Sequence, residues 1–168
     1  FERATVLRAG FLYGYNDAED RLHFVKEVIQ TLDRNERIVV DNVEIRHPTL
    51  TDDVAKLAVA AVEQRTAGIL QLDGEESVTK YDLARLIAEV YHGLFPDAGS
   101  LETLHGLIEG EPQREANDRR LTRVGPVVPT PLREGLKDVI RQLSTRSAPV
   151  PAAPAPAPER APEPAPLR

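Results

Sequence analysis

Apolar and polar positions follow two different periods along the chain, and these predict strands and helices in alternation. An almost continuous apolar run over residues 4–12 predicts a strand buried on both faces. Shorter apolar runs predict two more strands, RIVV at 37–40 and ILQLD at 69–73. Apolar residues at helical spacing predict four amphipathic helices, over residues 22–34, 51–65, 79–92 and 131–143. The resulting order is typical of an α/β fold.

Residues that favour helix ends mark several boundaries of these elements. Thr51 and Thr79 are predicted N-caps, and Asp82 completes a variant of the capping box with Thr79. Gly68 is predicted to stop the second helix, and Pro131 to occupy the first helical position of the last one. Glycines and prolines scattered over residues 93–128 predict an irregular region.

The composition changes sharply near the C-terminus. Residues 147–168 consist mainly of alanine and proline, which cannot bury enough apolar surface to offset the entropy of ordering. We therefore expect one ordered domain over residues 1–146, followed by a disordered Ala/Pro-rich tail over residues 147–168.

Charge and composition exclude several classes of function. A net charge of −6 argues against general binding to nucleic acid, which requires a basic face. The absence of cysteine excludes a disulfide framework and a thiolate site. No apolar run approaches the roughly 20 residues of a membrane span, and no signal peptide is recognisable, so a cytoplasmic protein without a membrane partner is expected.

The chain starts at Phe1 and contains no methionine, which predicts a fragment of a longer protein.

Motifs that identify a reaction are absent from the sequence. It has neither GxGxxG nor GxxxxGK[ST], no GxSxG or HExxH, and no histidines at metal-ligand spacing. The acidic pairs Asp52–Asp53 and Glu75–Glu76 fall at a helix start and in a turn, where solvated or helix-capping roles are expected.

Some polar and aromatic residues stand near predicted strand ends, where ligands collect in open α/β sheets. They are Arg8, Phe11, Tyr13, Arg46, His47 and Arg114. Taken singly, an arginine of this kind is more often part of a surface ion pair, and the two aromatic residues are more often part of the core.

Five segments in order carry a resemblance to a known family. They are VLRAGFLYG (6–14), HFVKEVI (23–29), PTLTDDVAKLA (48–58), GILQLDGEESVTKYDLARLIAEVY (68–91) and QREAN with GPVVPTPLREGLKDVI (113–140). Residues 4 to about 143 resemble the C-terminal half of extended short-chain dehydrogenases/reductases, and most of all the dTDP-4-dehydrorhamnose reductase-like group. The segments Arg46–Thr49 and Thr79–Tyr81 are also similar to the regulatory β subunit of methionine adenosyltransferase.

The resemblance implies the C-terminal part of a Rossmann-like, NAD(P)-binding fold with a small α/β substrate-binding region. The family's glycine-rich loop and catalytic Tyr-x-x-x-Lys pair do not occur in this sequence. The implied function is therefore the substrate-binding part of an NAD(P)-dependent sugar-nucleotide reductase or epimerase, not catalytic alone. The alternative is a non-catalytic regulatory or nucleotide-sugar-binding protein like the β subunit. Homodimers are frequent in the family, so a homodimer is a further expectation.

The resemblance also assigns roles to individual positions. Arg46 and Arg114 match arginines that hold the substrate's diphosphate, although Glu115 replaces a proline that usually follows the second one. Phe11 and His23 match positions that contact the sugar or phosphate, where tryptophan and asparagine are common. The remaining assignment places Ala9 and Gly10 beside the nicotinamide of NAD or NADP. No catalytic residue or metal ligand is implied, and His47 is predicted to be structural.

Overall fold

The computed structural model describes residues 4–15 and 23–145, which form a mixed α/β fold. The strands are β1 (Thr5–Ala9), β2 (Leu12–Tyr13), β3 (Ile38–Asp41), β4 (Thr49–Leu50), β5 (Gly68–Leu72) and β6 (Ile108–Glu111). The helices are α1 (Phe24–Asp33), α2 (Thr51–Glu63), α3 (Lys80–Leu94), α4 (Leu101–Gly106) and α5 (Leu132–Thr145), with a 3₁₀ turn over Pro96–Ala98. The tail predicted over residues 147–168 lies outside the described residues.

The strands of the described part associate as three parallel pairs. These pairs are β1 with β5, β2 with β4, and β3 with β6. In the longest pair Thr5 lies opposite Gly68 and Ala9 opposite Leu72. Because parallel strands end at the same edge of a sheet, the residues that follow β1 and β5 lie side by side.

Two apolar clusters hold the elements together. The larger one is built around α3, which packs against α1 and α5 and covers β3 and β6. Its fully buried side chains include Val25, Val28, Ile87, Leu136 and Ile140. A smaller cluster joins α2 to β5 through Leu57, Ala61, Leu70 and Leu72. Among the described residues, no helix combines the length and apolar character needed to cross a membrane.

The prediction of a single first strand buried on both faces is wrong in two respects. The chain leaves strand geometry at Gly10 and Phe11, so the run divides into β1 and β2, which pair with different partners. Strand β1 is also exposed, with Val6 at 51% and Leu7 at 36% of their full accessibility. Within the described part β1 pairs only with β5, which leaves much of its apolar surface uncovered.

Three helix boundaries also differ from the predictions. Thr51 is the first residue of α2 and does not cap it, because Leu50 occupies the N-cap position. Helix α2 ends at Glu63, and the chain turns at Arg65, whose φ is 49°, while Gly68 begins β5.

The last helix begins one residue after Pro131, whose carbonyl accepts a hydrogen bond from the Gly135 N–H at 3.0 Å. The region 93–128, predicted to be irregular, contains α4 and β6. Strand β6 has the sequence IEGE, with a single strongly apolar residue, so its pairing with β3 and not its own pattern makes it a strand.

The capping box at the start of α3 is confirmed. The Thr79 hydroxyl accepts a hydrogen bond from the Asp82 N–H at 3.0 Å, and the Asp82 carboxylate accepts one from the Thr79 N–H at 3.1 Å. Thr79→Ala is expected to lower the free energy of unfolding by about 1 kcal/mol, measured by urea denaturation.

The matched control is Thr31→Ala inside α1, where alanine favours the helix and a loss is not expected. Equal losses in the two variants would contradict a capping role for Thr79.

Candidate functional site

Hydrogen bonds to other parts of the chain fix the segment 42–48, which follows β3. Arg46 and Val78 exchange two backbone hydrogen bonds, of 2.7 and 3.0 Å. The Thr49 N–H donates to the Phe11 carbonyl at 2.8 Å, so the end of the segment is tied to the break between β1 and β2. These bonds hold the backbone that carries the Arg46 side chain.

Asp41, at the end of β3, aligns the segments that carry the two predicted phosphate-binding arginines. Its carboxylate accepts hydrogen bonds from the backbone N–H groups of Glu44 at 2.9 Å and Gln113 at 3.0 Å. Burial opposes the charged form, but backbone N–H donors, including these two, leave the pKa of Asp41 below its usual value. Arg46 lies two residues after Glu44, and Arg114 one residue after Gln113. The Asp41 carboxylate therefore sets the relative position of the two arginines.

Arg46 and Arg114 meet on one buried carboxylate. Arg46 forms an ion pair with Glu44, and the Arg114 Nε lies 3.5 Å from the same carboxylate oxygen. The Arg46 guanidinium also lies over the ring of Phe11, 5.9 Å from its centroid. The Arg46 side chain is only 26% exposed, so this is not the surface ion pair that was the alternative prediction. Two guanidiniums and one carboxylate leave a net positive charge, which favours an anionic ligand.

A cleft of about 380 Å³ opens beside this cluster. It is lined by Gly10, Phe11, Glu44, Ile45, Arg46, His47, Asp73, Asn117 and Arg119. Two of these residues, Arg46 and Asp73, each have a buried polar atom, the Nε and the Oδ1, without a hydrogen-bond partner within the described part of the chain. The cleft therefore has room for a ligand and is lined by residues with unused hydrogen-bonding capacity.

His47 has the structural surroundings that the sequence predicted for it. The residue is 3% exposed, and its Nε2 lies 2.8 Å from an Asp118 oxygen. The Ser77 hydroxyl lies 3.4 Å from its Nδ1. His47 thus links one wall of the cleft to the segments before α3 and after β6.

His23 is the N-cap of α1. Its Nδ1 accepts a hydrogen bond from the Lys26 N–H at 3.4 Å, and burial together with the Lys26 charge lowers the pKa of the imidazole. The next residue, Phe24, contacts Phe11 edge to face with the ring centroids 6.2 Å apart. His23 itself does not line the cleft, so its contact with a sugar or phosphate stays a prediction.

Of the residues predicted to lie beside the nicotinamide, Ala9 is the last residue of β1 and Gly10 follows it. Gly10 packs so closely on Asp73 that a Cβ at this position would lie 2.1 Å from the Asp73 Oδ1. Only glycine fits here without displacing that carboxylate.

Three charged residues of the cleft were missed from the sequence. Asp73 directly follows β5, so its place at a strand end was a usable signal. Glu44 stands two residues before Arg46, a spacing that puts side chains on the same side of an extended segment. Arg119 gave no signal, because only the tertiary fold brings it to the cleft.

Comparisons with solved structures agree with this fold. The dTDP-glucose 4,6-dehydratase of Bacillus anthracis str. Ames, solved with NAD, matches 85% of this chain with a TM-score of 0.63 and 12% identity. The dTDP-4-dehydrorhamnose reductase of the same organism, solved with NADP, matches 82% with a TM-score of 0.63 and 17% identity. The UDP-glucose 4-epimerase of Thermotoga maritima, solved with UDP-glucose, matches 84% with a TM-score of 0.59 and 20% identity.

The matches cover 45%, 48% and 46% of those three proteins, so the chain spans about half their length. A comparison with curated protein sequences found no match. The model of the RmlD substrate binding domain matches residues 1–145. These findings confirm the predicted relationship and the α/β fold class: the chain belongs to the RmlD substrate binding domain family.

Proposed function

We propose that this chain is the substrate-binding part of an NAD(P)-dependent sugar-nucleotide reductase or epimerase, and that Arg46 and Arg114 bind the diphosphate of its substrate. The observation that carries the proposal is the convergence of both arginines on the buried Glu44, beside the cleft, with Phe11 under the Arg46 guanidinium. Guanidinium groups bind phosphate oxygens in bidentate, charge-assisted hydrogen bonds, and an aromatic ring gives a sugar an apolar surface.

Glu44 has a definite place in this arrangement. Without a ligand it compensates the charge of Arg46, which is mostly removed from solvent. A diphosphate that enters the cleft offers the guanidiniums new acceptors, including one for the unsatisfied Nε of Arg46. Glu44 then holds the two arginine side chains in the orientation in which they bind the ligand.

The residues present fit one end of the cofactor. Ala9 ends β1 with only a methyl group, which leaves backbone for a flat nicotinamide ring to contact, while the Asp73 carboxylate packs against Gly10. The sequence contains no glycine-rich loop for the cofactor's phosphates, so these require other residues. When bound, the cofactor supplies the hydride for reduction of a keto sugar, and the role of this chain is to hold the sugar nucleotide.

An uncovered apolar surface supports association with a nucleotide-binding part. Val6, Ile69 and Val62, on β1, β5 and α2, are 51%, 53% and 78% exposed. A groove of about 730 Å³ between β1 and α2 is lined by Leu7 and Val62, while Val6 and Ile69 lie on the opposite face of the β1–β5 pair. Exposed apolar side chains on both faces of a parallel strand pair favour an interface, and further parts of an α/β fold would cover them.

The Arg46→Ala variant tests the proposal. Without this guanidinium, the affinity of the chain for UDP or dTDP is expected to fall by about 1.5–3 kcal/mol, measured by isothermal titration calorimetry. Arg114→Ala is expected to have a smaller effect, because its side chain is 63% exposed.

The matched control is Arg37→Ala. Arg37 is an exposed arginine on a different surface, where it pairs with Glu109 at 2.7 Å. The Arg37→Ala variant should leave the affinity for UDP and dTDP unchanged. If the wild type and Arg46→Ala bound UDP and dTDP with equal affinity, the arginine cluster would not be the diphosphate site.

A further inference from the structure

Two residues that line the cleft each have a buried polar atom that lacks a hydrogen-bond partner in the described part of the chain. The Arg46 Nε is a donor without an acceptor there, and the Asp73 Oδ1 is an acceptor without a donor. Buried polar groups in folded proteins nearly always have a partner, and an exception indicates a strained or ligand-binding site. A ligand that satisfied both atoms would therefore bring one acceptor and one donor.

The orientation of Asp73 is fixed by the protein. Its side chain is 4% exposed, and its Oδ2 accepts a hydrogen bond from the Leu121 N–H at 2.6 Å. The other oxygen packs against Gly10, in the space that a side chain at position 10 would fill. A carboxylate held by one oxygen and unsatisfied at the other is prepared to accept a further hydrogen bond.

Phosphate cannot satisfy both atoms. Its oxygens are suitable acceptors for Arg46, but an ionised diphosphate has no proton to donate to Asp73 and would be repelled by it. The donor must be a neutral group of the same ligand. In a sugar nucleotide, the hydroxyl groups of the sugar lie directly beyond the diphosphate.

We propose that Asp73 is a specificity-determining residue, which accepts a hydrogen bond from one hydroxyl group of the sugar while the diphosphate lies on Arg46. This inference rests on the proposed function, and it adds a selection for a sugar with a hydroxyl at one position. A site built around a buried acceptor discriminates strongly against a ligand that lacks the matching donor.

The test is a calorimetric titration of the 168-residue chain with UDP, UDP-glucose and its 2-, 3-, 4- and 6-deoxyfluoro analogues. The dTDP series replaces the UDP series if dTDP binds more tightly. Fluorine cannot donate a hydrogen bond, so one analogue is expected to bind the wild type at least about tenfold more weakly than the parent sugar nucleotide. The other three are expected to bind within about threefold.

The Asp73→Asn variant completes the comparison. Its amide oxygen still accepts the Leu121 N–H, while the NH₂ group replaces the unsatisfied oxygen and no longer discriminates against fluorine. We expect the tenfold difference to disappear and the affinity for the diphosphate alone to stay within about twofold. If this variant does not fold, the wild-type analogue series still decides the question, because equal binding of all four analogues overturns the inference.

The remaining outcomes separate other sources of the hydroxyl. A loss of affinity for UDP itself in Asp73→Asn would place the donor on the nucleoside. An effect on NADPH affinity without any effect on the analogue series would place it on the cofactor's ribose. Either result overturns the role proposed for the sugar. Failure of the wild type to bind UDP or dTDP, in contrast, would reject the proposed function.

Discussion

Gly74→Ala is expected to lower the free energy of unfolding by about 3 kcal/mol, the largest effect of a single methyl group that we expect in this protein. A Cβ at position 74 would lie 2.0 Å from the Pro48 carbonyl oxygen, and both groups belong to the backbone. The backbone cannot relax as a flexible side chain would. The Gly74 N–H also donates to the Thr49 hydroxyl at 3.0 Å, so the strain falls on a hydrogen-bonded contact.

The same substitution at Gly93 provides the control. Gly93 lies in α3, is exposed, and a Cβ there would meet no atom within 4 Å. Gly93→Ala should therefore increase stability by about 0.5–1 kcal/mol, since alanine loses less conformational entropy in a helix. Urea denaturation of both variants measures the difference, and an unchanged stability of Gly74→Ala would show that the approach of the two segments is looser than described.

Asp53→Ala is expected to lower the free energy of unfolding by about 2–4 kcal/mol near pH 7. The carboxylate is 1% exposed and accepts hydrogen bonds from the Thr130 N–H at 2.6 Å, the Thr130 hydroxyl at 3.0 Å and the Lys56 ammonium at 2.8 Å. It joins α2 to the segment that enters α5. Removal leaves a backbone donor of that segment without its acceptor.

This effect depends on pH in a defined direction. Burial opposes the charged form of Asp53, but the bonds from Lys56 and Thr130 outweigh it and hold the pKa below 3.8. A lowered pKa in the folded state adds stability above the pKa of the unfolded chain, and this is lost as the pH falls through the folded value. The difference in the free energy of unfolding between the wild type and Asp53→Ala should be constant above about pH 5 and should decrease as the pH falls below about 4.

The neighbouring Asp52 is the control. It makes no side-chain hydrogen bond or ion pair within the described residues, and acts on α2 mainly through the charge of the helix terminus. Asp52→Ala should cost at most about 0.5 kcal/mol. A gap for Asp53→Ala that stays constant from pH 7 to pH 3 would contradict the role of its charge.

The roles of Asp52 and Asp53 could be predicted from the sequence only in part. Both were predicted to have solvated or capping roles from their place at a helix start. That prediction is wrong for Asp53, because its partner Thr130 lies 77 positions further along the chain. Glu76, in contrast, has a capping role, since its carboxylate accepts a hydrogen bond from the Leu132 N–H at the start of α5, at 2.9 Å. The sequence did not reveal which helix it caps.

Features that depend on neighbours in sequence were predictable. The apolar stripe of Val25, Val28 and Leu32 and the capping box of Thr79 and Asp82 involve residues within one or two helical turns. The resemblance selected Arg46 and Arg114 because each stands in a recognisable segment. Strands β4 and β6 were missed, since a short strand is defined by its distant partner and its own residues carry little pattern.

The sequence by itself determined the four long helices, the α/β class and the family, because helical periodicity, capping and ordered motifs are local properties of the chain. Only the tertiary structure decided how the candidate site is built. Asp41 accepts a hydrogen bond from Gln113, 72 positions further along the chain, and Glu44 lies between Arg46 and Arg114. The tertiary structure also places Arg46, with an unpartnered donor, and Asp73, with an unpartnered acceptor, on one cleft. Whether a polar atom is buried and lacks a partner depends on the residues packed around it, which the sequence does not show.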